Sequence, residues 1–418
     1  MVLTSLLLAT AASAPSLDTE VATRVEALVP RLIEIRRDLH AHPELGNHEF
    51  RTGRVVAEEL RRLGIDVRYP VAKTGVVAVL RGSRPGRVVA VRADLDALPI
   101  DERNEAPYRS QNPGVMHACG HDVHASIVLG VAQVLAELRT RIPGTVVFLF
   151  QPAEEGPPDG EDGGAPYMIA EGALDSPQVA SIFGLHVDPS LRVGSVGWTA
   201  GAVFASADTF VIEIEGQRTH GAYPHTGIDP VPIAAEVVTG LQGLVARQTD
   251  AQKAKVLTIG SIHGGERANI VAERVRMEGS LRALDEELRS DIKRRLVRLV
   301  EGTATAHGAR GSVRFRDPGL PLLRNDAALA WRTHASLVRV LGGAAVADMA
   351  AQMGSEDFAF YAERVPACFL KLGVRNEVRG ITAMVHTERF DADEAAISVG
   401  VRALTAAIWD ELLFDGKR

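Results

Sequence analysis

The sequence predicts an α/β fold, a mixed sheet between layers of helices, with a ferredoxin-like α+β unit inserted into it. Three observations carry this expectation. Up to about residue 197, short apolar runs of strand length alternate with helical segments. From there to about residue 317 the order becomes β-α-β-β-α-β, the ferredoxin-like sequence of elements. The chain then returns to helical and strand segments that complete the first unit. A length of 418 residues is comfortable for two cores.

The elements follow in order. Residues 21–40 read as an amphipathic helix with apolar Val25, Leu28, Val29, Leu32, Ile33 and Ile35, kinked or restarted at Pro30. Residues 49–63 form a second helix, stopped by Gly64. Strands are expected at 75–80, 87–91, 145–150 and 180–185, and a helix at 122–139. Polar residues come just after the apolar runs: Arg92 and Asp94, Gln151 to Glu155, and His186. Open α/β sheets bind ligands beyond the carboxyl ends of their strands, so chemistry is expected there. In the inserted unit, 209–215 alternates as a half-buried strand should. A helix at 230–246, strands at 255–262 and 274–281, a long helix at 285–306 and a strand at 312–316 follow. The expected organisation is a leader at 1–20, a first unit at 21–197, the insertion at 198–317, and the rest of the first unit at 318–418. The loop at 159–164 reads as a solvated acidic turn.

Composition limits the function. Net charge is −7 and no basic run exists, which gives no electrostatic footing for nucleic acid. No apolar stretch beyond the N-terminus is long enough to span a bilayer. Residues 3–12 are mostly apolar and Ala12-Ser13-Ala14 resembles a cleavage site, so export to the periplasm or medium is expected rather than a cytoplasmic location. Against this, no Lys or Arg precedes the run and Pro15 would follow the cut. The two cysteines, Cys119 and Cys368, could pair in an oxidising compartment.

The densest chemical feature is Met116-His117-Ala118-Cys119-Gly120-His121-Asp122-Val123-His124, with three His, one Cys and one Asp in nine residues. These are the usual donors to zinc and related metals, at a loop-to-helix junction where side chains can converge. Next comes Glu154-Glu155 after an apolar strand. One carboxylate there can bind metal while the other reaches a water as general base and acid. His186 and His386 each follow a short apolar run. A lone His in such a place is more often a satisfied core or surface residue, and these two gain weight only because a two-metal site needs further ligands.

These strings, in this order, resemble the aminoacylase and carboxypeptidase G family of dinuclear metallopeptidases, in its amidohydrolase branch. Further matching strings are Arg36-Arg37-Asp38-Leu39-His40 with His42-Pro43-Glu44, Arg92 through Pro99, Gln151 through Gly156, His220 through His225, Gly264-Gly265 with Asn269, and Met353 through Phe358. Only about the first 20 residues fall outside. The resemblance implies an α/β/α metallopeptidase domain with a lid. It also implies two divalent ions per subunit, zinc or manganese, with cobalt or nickel also accepted. Cys119 would bridge the two ions, His121 and Glu155 would complete one, His186 and His386 the other, and Glu154 would be the general base. The family's wider His-x-Asp ligand motif is absent, since Arg92 stands in place of that His; Asp94 is then expected to be a structural residue or one behind the ligands that orients them. In the lid, His220 would stabilise the oxyanion, often across a dimer, with His225 as the alternative. Asn269 and Arg282 would hold a substrate carboxylate, and the Gly354 backbone would line the site.

The implied reaction is hydrolysis of N-acyl amino acids by a homo-oligomer, dimer or tetramer. A dipeptidase or aminoacyl carboxypeptidase of the same family is the nearest alternative. Two readings from other classes remain: a metal-free cysteine hydrolase, which leaves Glu155, His186 and His386 without roles, and a binding protein without turnover, against which the intact Glu154 argues.

Overall fold

The computed structural model describes residues 16–316 and 319–416. The expected leader therefore lies outside the described residues as far as residue 15, and its boundary at residue 20 falls inside the first helix, Leu17–Ala41, which Ser16 caps. Asp317, the expected end of the insertion, also lies outside them.

Eight strands form the main sheet. Their spatial order is Asp66–Val71, Gly75–Arg81, Pro143–Gln151, Arg84–Asp94, Ser181–Arg192, Ala367–Arg375, Val196–Trp198 and Val346–Asp348. The four strands from Pro143–Gln151 to Ala367–Arg375 run parallel, and antiparallel strands flank them. Parallel strands buried on both faces need near-continuous apolar sequence, which Thr145–Phe150 and Val88–Val91 supply. One face carries the helices Leu17–Ala41, His121–Glu137 and Ala396–Leu413. The other is covered by a smaller cluster that includes Met168, Phe204, Phe358 and Phe369. Pro30 neither stops nor restarts the first helix, which continues through it to Ala41. The edge strand Asp66–Val71 was not legible, because its alternate residues face solvent and Pro70 reads as a turn residue.

The inserted region forms a second sheet with its own core. Its strands Lys255–Gly264, Arg274–Ala283, Ser206–Glu215 and Arg310–Phe315 lie in that spatial order, all antiparallel, against the helices Pro230–Arg247 and Glu286–Ala306. Phe210, Ile212 and Ile214 point inward, as their alternation requires. Asp208 also points inward, where it accepts from Arg289 Nε and Nη2 at 2.7 and 2.9 Å and from Lys293 at 2.7 Å, pinning the long helix to the sheet. No helix among the described residues is long and apolar enough to cross a membrane.

One buried ion cluster locks the layers that carry the metal motif. Arg36, fully buried on the first helix, donates to Asp122 Oδ2 at 2.8 Å and to Asp391 Oδ1 at 2.8 Å. His40 Nδ1 meets the same Asp122 oxygen at 2.8 Å. Burial pushes the Asp122 carboxyl up, but Arg36 and His40 reverse this and hold it well below the usual range. Arg36→Ala leaves Asp122, Asp391 and Glu394 short of a shared cation, and removing one partner of a buried pair costs ~3–5 kcal/mol. A urea midpoint shift equivalent to less than about 1 kcal/mol would show that the cluster is not a structural lock.

Candidate metal centre

Each candidate ligand owes its position to a specific backbone device. Cys119 and His121 flank Gly120, whose φ of +86° starts the helix His121–Glu137. A Cβ at Gly120 would also lie 2.6 Å from Val187 Cγ2, so conformation and space both require glycine. Glu154 and Glu155 sit on the turn after strand Pro143–Gln151. That turn passes through Ala153 at φ +52°, a strained value for a residue with a side chain. Glu49 Oε1 accepts from the Ala153 amide at 2.8 Å, and Asp96 Oδ2 from the Glu155 amide at 2.9 Å. His386 adopts φ +63° and donates its amide to Ala118 O at 2.8 Å, which swings its ring over Cys119.

The five expected ligands converge. Cys119 Sγ lies 3.2 Å from His186 Nε2 and 3.3 Å from His386 Nε2. His386 Nε2 is 3.0 Å from Glu155 Oε1, though that oxygen makes no hydrogen bond. Donor atoms of Cys119, His121 and His186 lie within 4.8 Å of one another, as do those of Cys119, Glu155 and His386. Donor atoms of His121, Glu154 and Glu155 also lie within 4.8 Å of one another, so His121 stands as close to Glu155, its expected partner, as to His186. The turn aims Glu155 at the His386 ring, while His121 and His186 come together edge to face with centroids 6.1 Å apart.

The residues fit a pair of divalent cations. His121 Nε2 and Glu155 Oε1 are buried polar atoms without a hydrogen-bond partner. His121 Nδ1 is held by Asp96 Oδ1 at 3.1 Å, and His186 Nδ1 by Val187 O at 2.7 Å, so each ring turns Nε2 to the cluster. Burial and the Glu155, Glu154 and Asp94 carboxylates push the Cys119 thiol well up. Burial, together with Glu356, Glu155 and Asp357, does the same to the Glu154 carboxyl, with Arg92 opposing. Burial lowers the His121 imidazole, but Asp94 and Asp96 outweigh it and lift it to about 10. Protons therefore occupy the places where cations would bind, and loading metal releases them. The same crowd of carboxylates disfavours the thiolate that a cysteine nucleophile needs.

Asp94 holds the frame behind the ligands, and Asp96 is the carboxylate that fixes the His121 ring. Asp94 accepts from His124 Nδ1 and from Arg92 Nη1, both at 2.6 Å, and His124 Nε2 then accepts the Val187 amide at 2.9 Å. Both ring nitrogens of His124 are thus engaged. Asp96 was overlooked although it stands two residues from Asp94 in the same string. Arg92, fully buried, also donates to Gln151 Oε1 at 2.9 Å and Asp357 Oδ1 at 2.8 Å, and lies 3.1 Å from Glu356 Oε1. Glu49, which props Ala153, accepts from Thr74 Oγ1 at 2.6 Å; burial and Asp96 raise its carboxyl to about 7. Cys368 is buried in strand Ala367–Arg375 and both cysteines are free.

The inserted unit's candidates are placed apart. His220 lies on the short strand Thr219–His220, opposite Ile270, and its Nδ1 accepts the Ala222 amide at 3.1 Å. Asn269 O accepts the Gly221 amide at 2.8 Å, so His220 and Asn269 are neighbours. His225 is exposed on the following turn. No hydrogen bond or ion pair joins these three side chains to the cluster among the described residues. Arg282 Nη1 donates to Met353 O at 2.9 Å, beside Gly354, whose oxygen accepts the Ala205 amide at 2.8 Å.

Asp96→Asn removes the charge that fixes His121. Loss of such an orienting partner typically weakens metal binding ~10–100-fold. Competition with a chromogenic chelator measures this, and unchanged affinity would remove Asp96 from its role.

Residues 90–410 match the sequence pattern of "Peptidase family M20/M25/M40". The chain is 41% identical over 393 residues to a "Probable hydrolase" of Synechocystis, covering 93% of this chain and 98% of that protein. It is 38% identical over 376 residues to the N-acetyl-L-cysteine deacetylase of Bacillus subtilis, covering 89% and 86%. It is 36% identical over 372 residues to an IAA-amino acid hydrolase of Arabidopsis thaliana, covering 88% and 83%. Among solved structures it is similar to the Bacillus subtilis YXEP protein, described as a dinuclear metal binding peptidase. The TM-score there is 0.81 at 34% identity, covering 93% of this chain and 99% of that one. With three quarters of its length inside the family pattern and near full-length relatives above 30% identity, this chain belongs to the M20 peptidase family.

Proposed function

We propose that the protein hydrolyses the amide bond of N-acyl amino acids, releasing a carboxylic acid and the free amino acid. The observation that carries this is Glu154. Its side chain is 9% exposed and free of hydrogen bonds among the described residues, with Oε2 3.8 Å from His121 Nε2 at the rim of a five-donor cluster. The relatives that act on N-acetylcysteine and on indole-acetyl-amino-acid conjugates support the same bond type.

Cys119, His121 and His186 would hold one divalent ion, and Cys119, Glu155 and His386 the other. We favour zinc for the thiolate, with manganese accepted by the same donors. When bound, such a pair polarises the amide carbonyl and makes water acidic enough to attack at neutral pH. Glu154 takes the proton of the attacking water as the C–O bond forms. It then delivers that proton to the amine nitrogen as the C–N bond breaks. His220 donates a hydrogen bond to the carbonyl oxygen as negative charge develops. Its separation from the cluster within one chain suits either closure of the inserted unit or donation across a homodimer. Asn269 and Arg282 stand on the same unit to receive the substrate carboxylate.

Metal-reconstituted protein should cleave a panel of N-acetyl- and N-benzoyl-amino acids, and chelation should abolish this reversibly. Cleavage of free dipeptides with no action on acyl amino acids would replace the reading. Glu154→Gln should lower kcat at least ~10²–10⁴-fold while metal content stays at the parental level. Metal loss in that variant would make Glu154 a ligand.

His220→Ala should lower kcat strongly with metal content unchanged. Mixed with Glu154→Gln under confirmed subunit exchange, it should regain part of the activity if His220 reaches a neighbouring subunit. A dead mixture places the donation within one chain. A fully active His220→Ala transfers the role to His225.

A further inference from the structure

Lys371 is a buried lysine that the reaction as described does not use. It lies on strand Ala367–Arg375, in parallel register with His186 on the neighbouring strand, so both side chains leave the sheet on the same face. Only 5% of the residue is exposed. Its ammonium rests 3.6 Å from the centroid of the Phe204 ring, and no hydrogen bond or ion pair reaches it among the described residues. The negative groups nearest in effect are Asp188, Glu356, Cys119 and Glu154. Asp188 is already occupied, accepting from the Ser190 amide and hydroxyl at 2.8 and 2.6 Å and from Gln352 Nε2 at 3.2 Å.

An ammonium buried without a directly paired anion is costly, and a ring face offsets only part of that cost. Lys371 borders a small cavity with Thr199, Met349 and Gln352. Phe204, its ring contact, packs against the loop of Gly354, where an added Cβ would lie 3.1 Å from the ring. The amine is therefore set between His186 and the loop that meets the inserted unit through Arg282.

We propose that Lys371 is a substrate-binding residue whose ammonium receives a carboxylate of the substrate between His186 and the Gly354 loop. This rests on the acyl-amino-acid reading of the site. That carboxylate is either the α-carboxylate of the amino acid, which Lys371 then holds in place of Asn269 and Arg282, or a second one carried by the acyl group, which leaves the α-carboxylate to them.

Calorimetry on metal-loaded Glu154→Gln protein, which binds without turnover, separates the sources. The ligands are N-acetyl-leucine, its carboxamide and N-succinyl-leucine. With the α-carboxylate at Lys371, the acid binds better than its carboxamide. With an acyl carboxylate there, the succinyl compound binds better than the acetyl one. In either case Lys371→Met should erase that preference, weakening the favoured ligand ~10–150-fold, the range for a hydrogen bond to a charged group. Lys371→Gln gives the same reading if the Met variant loses its fold or its metal, and Lys371→Arg should keep the preference. The proposal is overturned if the parent shows neither preference, or if both neutral variants keep it. If the unmutated enzyme leaves every acyl amino acid intact while the calorimetric preference depends on Lys371, the hydrolase reading falls and the carboxylate site stands.

Discussion

The site is governed by the cost of gathering acids in a dry place. Asp94, Asp96, Glu154, Glu155, Glu356, Asp357 and the Cys119 thiol share one corner at the carboxyl ends of the parallel strands, most of them almost wholly buried. Like charges this close cannot all ionise without cations among them. The protein supplies Arg92, whose guanidinium spans Asp94, Glu356 and Asp357 at once. That arrangement neutralises the rear of the corner and leaves the front, where Cys119, Glu155 and three imidazoles meet, for ions from solution. Arg92 is thus a permanent cation behind the site rather than a donor within it.

Geometry at the front depends on carboxylates that touch no ligand end. Asp96 uses one oxygen on the His121 ring and the other on the Glu155 amide, so a single side chain sets the spacing of two donors from distant segments. Glu49 does the same for Ala153 from the second helix. Further out, Arg36 and Asp122 hold the start of the His121 helix against the first helix. Precision comes from successive rings of ionic contacts, each buried where water competes least.

Much of this was legible in the sequence. The Cys-Gly-His segment and the adjacent glutamates announce donors because such residues are rarely crowded without purpose, and the parallel strands announce themselves as Val-rich runs. The β-α-β-β-α-β order read for the insertion is matched by its antiparallel sheet. What escaped was non-local. Where the Glu155 and His386 donors point depends on how the His386 and Ala153 backbones turn, and positive φ at residues with side chains leaves no compositional trace. Asp96 and Asp94 look alike in sequence, and only the fold shows that Asp96 takes His121 Nδ1 while Asp94 bonds His124 and Arg92. Lys371 sits in an apolar run where a lysine reads as an interruption, and its pairing with His186 is set by register alone.

The tie between Arg282 and Met353 O, with the Ala205–Gly354 bond beside it, has a mechanical consequence. These contacts join the antiparallel unit to a loop whose next residues are Glu356 and Asp357, the acids that press on Glu154. Any rotation of that unit must either break the tie or carry the loop with it. In the second case the acids beside Glu154 move with the unit, so the one contact couples the placing of the two sheets to the packing behind the metal motif.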